Sequence, residues 1–257
     1  MGNIHNEELV EIWEKHWQLL EVDENSIINN QLDSWARPHK EILDKYLGQL
    51  DKNSVIVNAG CGLGQWVFYS YKKGFSSIGL DIAKDTISRL NHYISDMGMA
   101  PSRIKFIEDD IRDIKHIKND FCDLILTFGV LEHFKDNIAV LEQFYKIMKK
   151  GGYVIITVPN LYSTLTITKP ISKLLGLWKL GMQKHYSGKA LRKIIPEDKF
   201  EIIEEGTMIY TELFGSSANR IPVIGRSIAK ALQKISNIFV SHYNFLGFMR
   251  FIVVKKI

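Results

Sequence analysis

The chain has 257 residues, of which 46% are hydrophobic and 24% charged, with a formal net charge of +4; this balance excludes a disordered polymer and suits one α/β domain with additions. Its two cysteines, Cys61 and Cys122, make neither a disulfide framework nor a Cys-x-x-Cys metal pair, so a reducing cytoplasm is expected. Residues 1–14 are polar and acidic, unlike a secretion signal, and no run of about 18 apolar residues is present to span a bilayer.

In chain order, residues 6–20 read as a helix, because Leu9, Ile12, Trp13, Trp17 and Leu20 recur at three- and four-residue spacing. Residues 21–35 are polar and irregular, and a second helix follows with Pro38 near its start. A regular alternation begins at Ser54. Ser54–Asn58 is a short apolar run ending in glycines, the pattern of a buried parallel strand. A helix over Gln65–Lys73 follows, then a strand Ser77–Leu80, a helix Ala83–Met97, and strands Ile104–Glu108 and Asp123–Phe128. Asp136–Lys150 reads as a helix with Val140, Phe144, Ile147 and Met148 on its apolar side, closed by Gly151 and Gly152. Tyr153–Val158 is a fifth strand, stopped by Pro159. Residues 160–183 interrupt the alternation. Beyond them come a helix Ser187–Ile195, a strand Phe200–Tyr210, an amphipathic helix Pro222–Val240 and a last strand Leu246–Val254. Strands alternating with helices specify a parallel sheet covered on both faces.

The charge is uneven. Residues 1–159 hold 18 Lys and Arg against 23 Asp and Glu, a balance of −5, whereas residues 160–257 hold 15 against 6, a balance of +9. A basic surface with an anionic partner, substrate or lipid, is expected, the alternative being a solvated basic face. In the Pro222–Val240 helix, Ile224, Ile228, Leu232, Ile235 and Phe239 recur at helical spacing beside a row of Arg226, Lys230 and Lys234. Such a helix can rest peripherally on an anionic membrane or pack on the sheet.

Asn58-Ala59-Gly60-Cys61-Gly62-Leu63-Gly64 joins the first strand to its helix. Glycines there let the backbone turn tightly and approach a ligand. A dinucleotide fingerprint requires a small residue at the position of Gln65; here the third glycine falls one residue earlier, giving G-x-G-x-G. Asp81, at the end of the second strand, can accept from both hydroxyls of a nucleoside ribose, or act as a helix N-cap. A carboxylate in Glu108-Asp109-Asp110-Ile111 can accept from an adenine amino group.

Together with Phe121–Phe134 and Lys149–Asn160, these segments resemble, in order, five motifs of the class I SAM-dependent methyltransferases, over roughly residues 54–160. The nearest flavour is the small-molecule group that includes quinone-biosynthesis and sugar methyltransferases. The resemblance implies a Rossmann-like, mostly parallel seven-stranded sheet whose last strand inserts antiparallel. An N-terminal helical cap would cover residues 1–50, and a methyltransferase domain residues 51–257, with a helical insertion at 160–184. It implies a SAM site formed by Asn58, Ala59, Gly60, Gly62, Gly64, Asp81, Ile82, Asp110, Ile111 and Thr127. Asp110 is favoured over Asp109 because relatives place Asp before a small or apolar residue. Asn58 departs from the Asp or Glu usual at its position, which removes a charge facing the SAM cation. Arg37, upstream of the glycines, is a candidate for the SAM carboxylate, and Trp35 could close the pocket.

Methyl transfer from a sulfonium needs alignment and water exclusion, and a base when the acceptor is a hydroxyl or a protonated amine. His133 is the leading base candidate, with His185 and Tyr186 second and Glu132 a structural neighbour. No Asn/Asp-Pro-Pro-aromatic run follows the fourth strand and no Pro-Cys nucleophile is present, so a nucleic-acid acceptor is not expected; nor is a magnesium site. The expected activity is methylation of a small molecule, on oxygen before nitrogen. The alternatives are a lipid or polyprenyl-linked glycan acceptor at a membrane surface, or a SAM-binding module without activity.

Overall fold

The computed structural model describes residues 4–19, 36–163, 165–176, 183–208 and 246–257. Helices α1 (Ile4–Leu19) and α2 (Ala36–Leu47) come first. They are followed by β1 (Val55–Ala59), α3 (Gln65–Lys72), β2 (Ser76–Asp81), α4 (Lys84–Asp96), β3 (Ile104–Glu108) and β4 (Cys122–Phe128). A 3-10 turn, Leu131–His133, leads into α5 (Asn137–Ile147) and β5 (Met148–Pro159). Then come α6 (Leu165–Leu174), α7 (Gly188–Lys193), β6 (Phe200–Met208) and β7 (Met249–Lys256).

The strands form one seven-stranded sheet in the order β3-β2-β1-β4-β5-β7-β6. Strands β1 to β5 pair in parallel, while β7 runs antiparallel between β5 and β6. This is the expected Rossmann-like architecture, with the last strand inserted antiparallel. The central strands are apolar throughout because both faces are covered. On one face Val140, Leu141, Phe144 and Ile147 of α5 pack with Val57, Ile125 and Val154. On the other, Ile42, Leu43, Tyr46 and Leu47 of α2 pack with Ile56, Leu124 and Leu126. The chain reverses its order between β1 and β4, which opens a crevice at the carboxyl ends of those two strands.

Two boundaries differ from the sequence reading. Helix α5 stops at Ile147, before Gly151 and Gly152 are reached, because Met148 already pairs with Cys122 as strand. Residues 149–152 bulge out before pairing resumes at Tyr153 opposite Leu124. In that bulge Gly151 has φ 81°, and a methyl group on Gly152 would lie 2.9 Å from the Asp123 carbonyl oxygen. The glycines therefore serve the bulge and not a helix cap. Strand β7 begins at Met249 instead of Leu246, since the Gly247 and Phe248 carbonyls are taken by the side-chain and main-chain N–H of Asn160, at 2.7 and 3.0 Å. The expected helix Pro222–Val240 lies outside the described residues, as do Trp35 and the end of the strand expected to reach Tyr210.

Candidate active site

The glycine loop leaves β1 and enters α3 with Gly60, Gly62 and Gly64 at φ 75°, 49° and 78°. This left-handed backbone is strained for any residue with a Cβ. The Gly60 and Cys61 N–H groups donate to the Leu80 carbonyl at 2.8 and 2.9 Å, fastening the loop to the end of β2. Burial pushes the Cys61 thiol well above its ordinary pKa, so it is no nucleophile at neutral pH.

Asp81 ends β2. One of its carboxylate oxygens accepts from the Gly62 N–H at 2.8 Å and the other from the Ala83 N–H at 3.1 Å. Burial raises its pKa, against the pull of those main-chain donors and of the Ile82 N–H. With these donors the carboxylate still has acceptor capacity left over. Asp109 and Asp110 are used differently. Asp109 is buried and accepts from the main-chain N–H groups of Asp110, Lys115 and His116, so it organises the loop after β3. Asp110 is half-buried and holds the Arg112 guanidinium through both oxygens. Burial works to raise the Asp110 pKa, but Arg112 holds the carboxyl below the usual range.

Two buried oxygens near the carboxyl ends of β1 and β4, Asn58 Oδ1 and Thr127 Oγ1, have no hydrogen-bond partner among the described residues. Asn58 Nδ2 donates to the Leu126 carbonyl at 3.3 Å. Buried polar atoms without partners are uncommon in folded proteins and here they flank the crevice, as a polar ligand would require.

Helix α1 lies across this crevice. A methyl group on Gly62 would meet the Trp17 ring at 2.6 Å. Trp13 stacks on Trp17 with ring centroids 5.6 Å apart and stands edge-on to His133 at 4.9 Å. Glu14 accepts from the Asp85 N–H at the start of α4, at 2.9 Å. One helix thus touches the glycine loop, the start of α4 and the turn after β4.

That turn carries Glu132 and His133, both buried. It abuts the glycine loop, since a methyl group on Gly60 would lie 2.6 Å from the Val130 side chain. On its other side it meets the insertion. The Glu132 carbonyl accepts from the Lys184 N–H at 2.9 Å, and the Gln183 side chain acts to lower the Glu132 pKa against burial. Lys169 of α6 donates to the Gln183 carbonyl at 2.5 Å and stands 3.4 Å from His185 Nε2. Burial pushes the Glu132 carboxyl up to about 8. Burial, with Lys173 nearby, pulls Lys169 down to about 8. Burial and then Lys169 pull His185 down to about 4, so it is neutral at physiological pH.

A family model described as a methyltransferase domain matches residues 31–205, more than half of the chain. The chain belongs to the methyltransferase domain family. It is 26% identical over 135 residues to the demethylmenaquinone methyltransferase of Oceanobacillus iheyensis, covering 51% of this chain and 53% of that protein. To the mitochondrial ubiquinone biosynthesis O-methyltransferase of Dictyostelium discoideum it is 25% identical over 186 residues, covering 60% of this chain and 57% of that one. The chain therefore spans little more than half the length of these relatives. The crystal structure of magnesium protoporphyrin IX methyltransferase from Synechocystis PCC 6803, with bound SAH, has the same fold, with a TM-score of 0.56 at 15% identity over 86% of this chain and 84% of that one.

In this member of the family the fold brings Asn58, Ala59, Gly60, Gly62, Gly64, Asp81, Ile82 and Thr127 to the carboxyl ends of β1, β2 and β4, with Asp110 and Ile111 just beyond the end of the neighbouring β3. Arg37 is exposed in the first turn of α2. Tyr186 is buried and its hydroxyl accepts from Asn137 Nδ2 at 2.5 Å, so it ties the insertion to α5. His185 sits with Thr166 Oγ1 at 2.9 Å from its Nδ1. Three features escaped the sequence reading: Glu132 as a buried acid, Lys169 as its neighbour, and Trp13, Glu14 and Trp17 as contacts of the site. His39 was also passed over; it is buried in α2, 3.2 Å from Thr157 Oγ1.

Proposed function

We propose that this methyltransferase moves the methyl group of SAM to a hydroxyl oxygen of a small-molecule acceptor. The observation that carries the reading is the contact between the glycine loop and the buried turn bearing Glu132 and His133, through Gly60 and Val130. A hydroxyl must lose its proton as it is methylated, and this turn brings titratable side chains next to the cofactor loop. SAM, when bound, supplies a methyl carbon already activated by the sulfonium, so no covalent enzyme intermediate is required. Asp81 would hold the ribose, Asp110 with the Ile111 N–H the adenine, and the main chain of Asn58 to Gly64 the amino-acid part, whose carboxylate Arg37 would meet. The Asn58 Oδ1 and Thr127 Oγ1 atoms fit a ligand with hydrogen-bond donors. Trp13 and Trp17 would exclude water over the reacting atoms. That the Dictyostelium relative is an O-methyltransferase supports the choice of oxygen. Incubation with methyl-labelled SAM and a metabolite extract, followed by product mass spectrometry, should yield a labelled methyl ether; a labelled methyl ester would point to a carboxylate acceptor instead. A labelled methylamine would move the activity to nitrogen, and SAM binding without any product would leave a binding module.

A second reading, that the acceptor is an amphiphile met at an anionic membrane, has its own support. On α6, Ile171, Leu174 and Leu175 are 47%, 87% and 62% exposed, beside the exposed Lys173. Residues 160–196 carry seven Lys and Arg and no acidic side chain. Each basic residue near such a surface contributes on the order of 1 kcal/mol, screened by salt. Cosedimentation at low salt should retain the protein on phosphatidylglycerol vesicles and not on phosphatidylcholine. Equal recovery in both supernatants would assign the acceptor to solution.

A further inference from the structure

Glu132 is 1% exposed, yet its Oε2 has no hydrogen-bond partner among the described residues. Its Oε1 stands 3.9 Å from His133 Nε2, beyond hydrogen-bond reach, and 3.6 Å from where a methyl group on Gly129 would lie. The main chain around it is bracketed by the glycine loop on one side and by the Lys184 N–H of the insertion on the other. A buried carboxyl with an unused lone pair is costly unless a ligand donates to it. The neighbouring His133 ring is held edge-on by Trp13. Of the two side chains on this turn, Glu132 has the oxygen that awaits a donor.

We propose that Glu132 is the catalytic proton acceptor for the methyl acceptor's hydroxyl, and that Lys169, which donates to the Gln183 carbonyl of the insertion, is a positioning residue beside it. The proposal rests on the reading of the chain as a hydroxyl methyltransferase. In the step, the acceptor oxygen bonds to the methyl carbon while the carbon–sulfur bond breaks and its electron pair stays on sulfur. The hydroxyl proton passes to Glu132 Oε2, and water takes it after product leaves. An ordinary carboxylate is a weak base for a hydroxyl; a buried one titrating at about 8 is matched to neutral solution. The Lys169 charge lowers the Glu132 pKa and so limits the effect of burial.

Two measurements decide. Turnover is followed with methyl-tritiated SAM and the hydroxyl compound that the product search returns, over pH 5 to 10. For the wild type, kcat/KM should rise toward a plateau above about pH 8. Glu132→Gln should lower kcat by about 10²–10⁴ and abolish that rise, while His133→Gln keeps it. If His133→Gln abolishes the rise and Glu132→Gln does not, the base is His133 and the proposal is overturned. The second readout needs no turnover: carbon-13 NMR of glutamate carboxyls in the SAH complex, assigned by the signal missing in Glu132→Gln. Glu132 should titrate near pH 8 and move higher in Lys169→Met; should Glu132→Gln misfold, the signal is assigned as the one that moves in Lys169→Met, and the absence of any glutamate carboxyl titrating near pH 8 overturns the proposal. An ordinary carboxylate titration, or no response to Lys169→Met, overturns the assignment. A wild type that binds SAM and methylates nothing fails the underlying reading instead, and is told apart by its lack of product at every pH.

Discussion

Asp81 accepts main-chain hydrogen bonds from Gly62 and Ala83 while facing the crevice, so its removal should be felt by ligand and loop together. Asp81→Ala should lower SAM affinity at least tenfold, since one or two charge-assisted bonds of about 1.5–3 kcal/mol each are lost; calorimetry on a folded variant giving an unchanged dissociation constant would remove it from the site. Glu132 makes a prediction about stability. Its folded pKa, about 8, lies above the ordinary value of 4.5, so the folded chain holds a proton that the unfolded chain has released. Stability should therefore fall as pH rises from about 4.5 to 8. Lys169, lowered from 10.5 to about 8, acts oppositely above pH 8, where stability should recover. Urea midpoints of Glu132→Gln should lack the fall below pH 8 and keep the recovery above it; parallel wild-type and variant curves would contradict the burial argument. Asp81 was legible in the sequence because a strand end after a glycine loop fixes its place. Glu132 was not, because its surroundings come from Gln183 and Lys169, and no local spacing announces that contact.

At the scale of elements, α1 is the part whose position the sequence conveyed least. Trp13 and Trp17 were legible as one face of a helix, but not that this face meets Gly62 and His133. Periodicity reports which side of a helix is buried and is silent on the partner. Trp17→Ala should uncover the loop and raise the SAH dissociation rate about tenfold, equivalent to about 1.4 kcal/mol, with little change in thermal stability. Stopped-flow release of SAH from both proteins would check it, and equal rates would mean that α1 is no cover. The alternation from β1 to β5 was readable because buried parallel strands are short apolar runs between helices. The end of α5 was misread for the converse reason: Gly151-Gly152 fits a helix cap and a bulge equally well, and pairing of Met148 with Cys122 decides between them.

Across the whole molecule, the basic excess after residue 159 and the exposed apolar side of α6 fall in the same part of the chain. Leu174→Ser with Leu175→Ser should reduce retention on phosphatidylglycerol vesicles several-fold without altering SAM affinity, whereas Lys173→Gln should chiefly weaken its salt dependence. Retention unchanged by the leucine pair would assign that face to a role other than lipid contact. The overall sheet followed from five ordered motifs, but strand order at its far edge came only with the resemblance, because no local feature of residues 249–256 says which strands they separate. That placement bears on how the chain reaches its native state. Among the described residues, strand β6 pairs only with β7, and β7 follows it after residues 209–248. Until β7 arrives, β5 presents an open backbone edge, and the Lys256 ammonium has yet to fasten the Tyr145 and Met148 carbonyls where α5 passes into β5. Closure of the sheet is a long-range event that must pay its loop entropy first. Folding should thus be slow at this step, with the β5 edge as the place where unfinished chains adhere to one another.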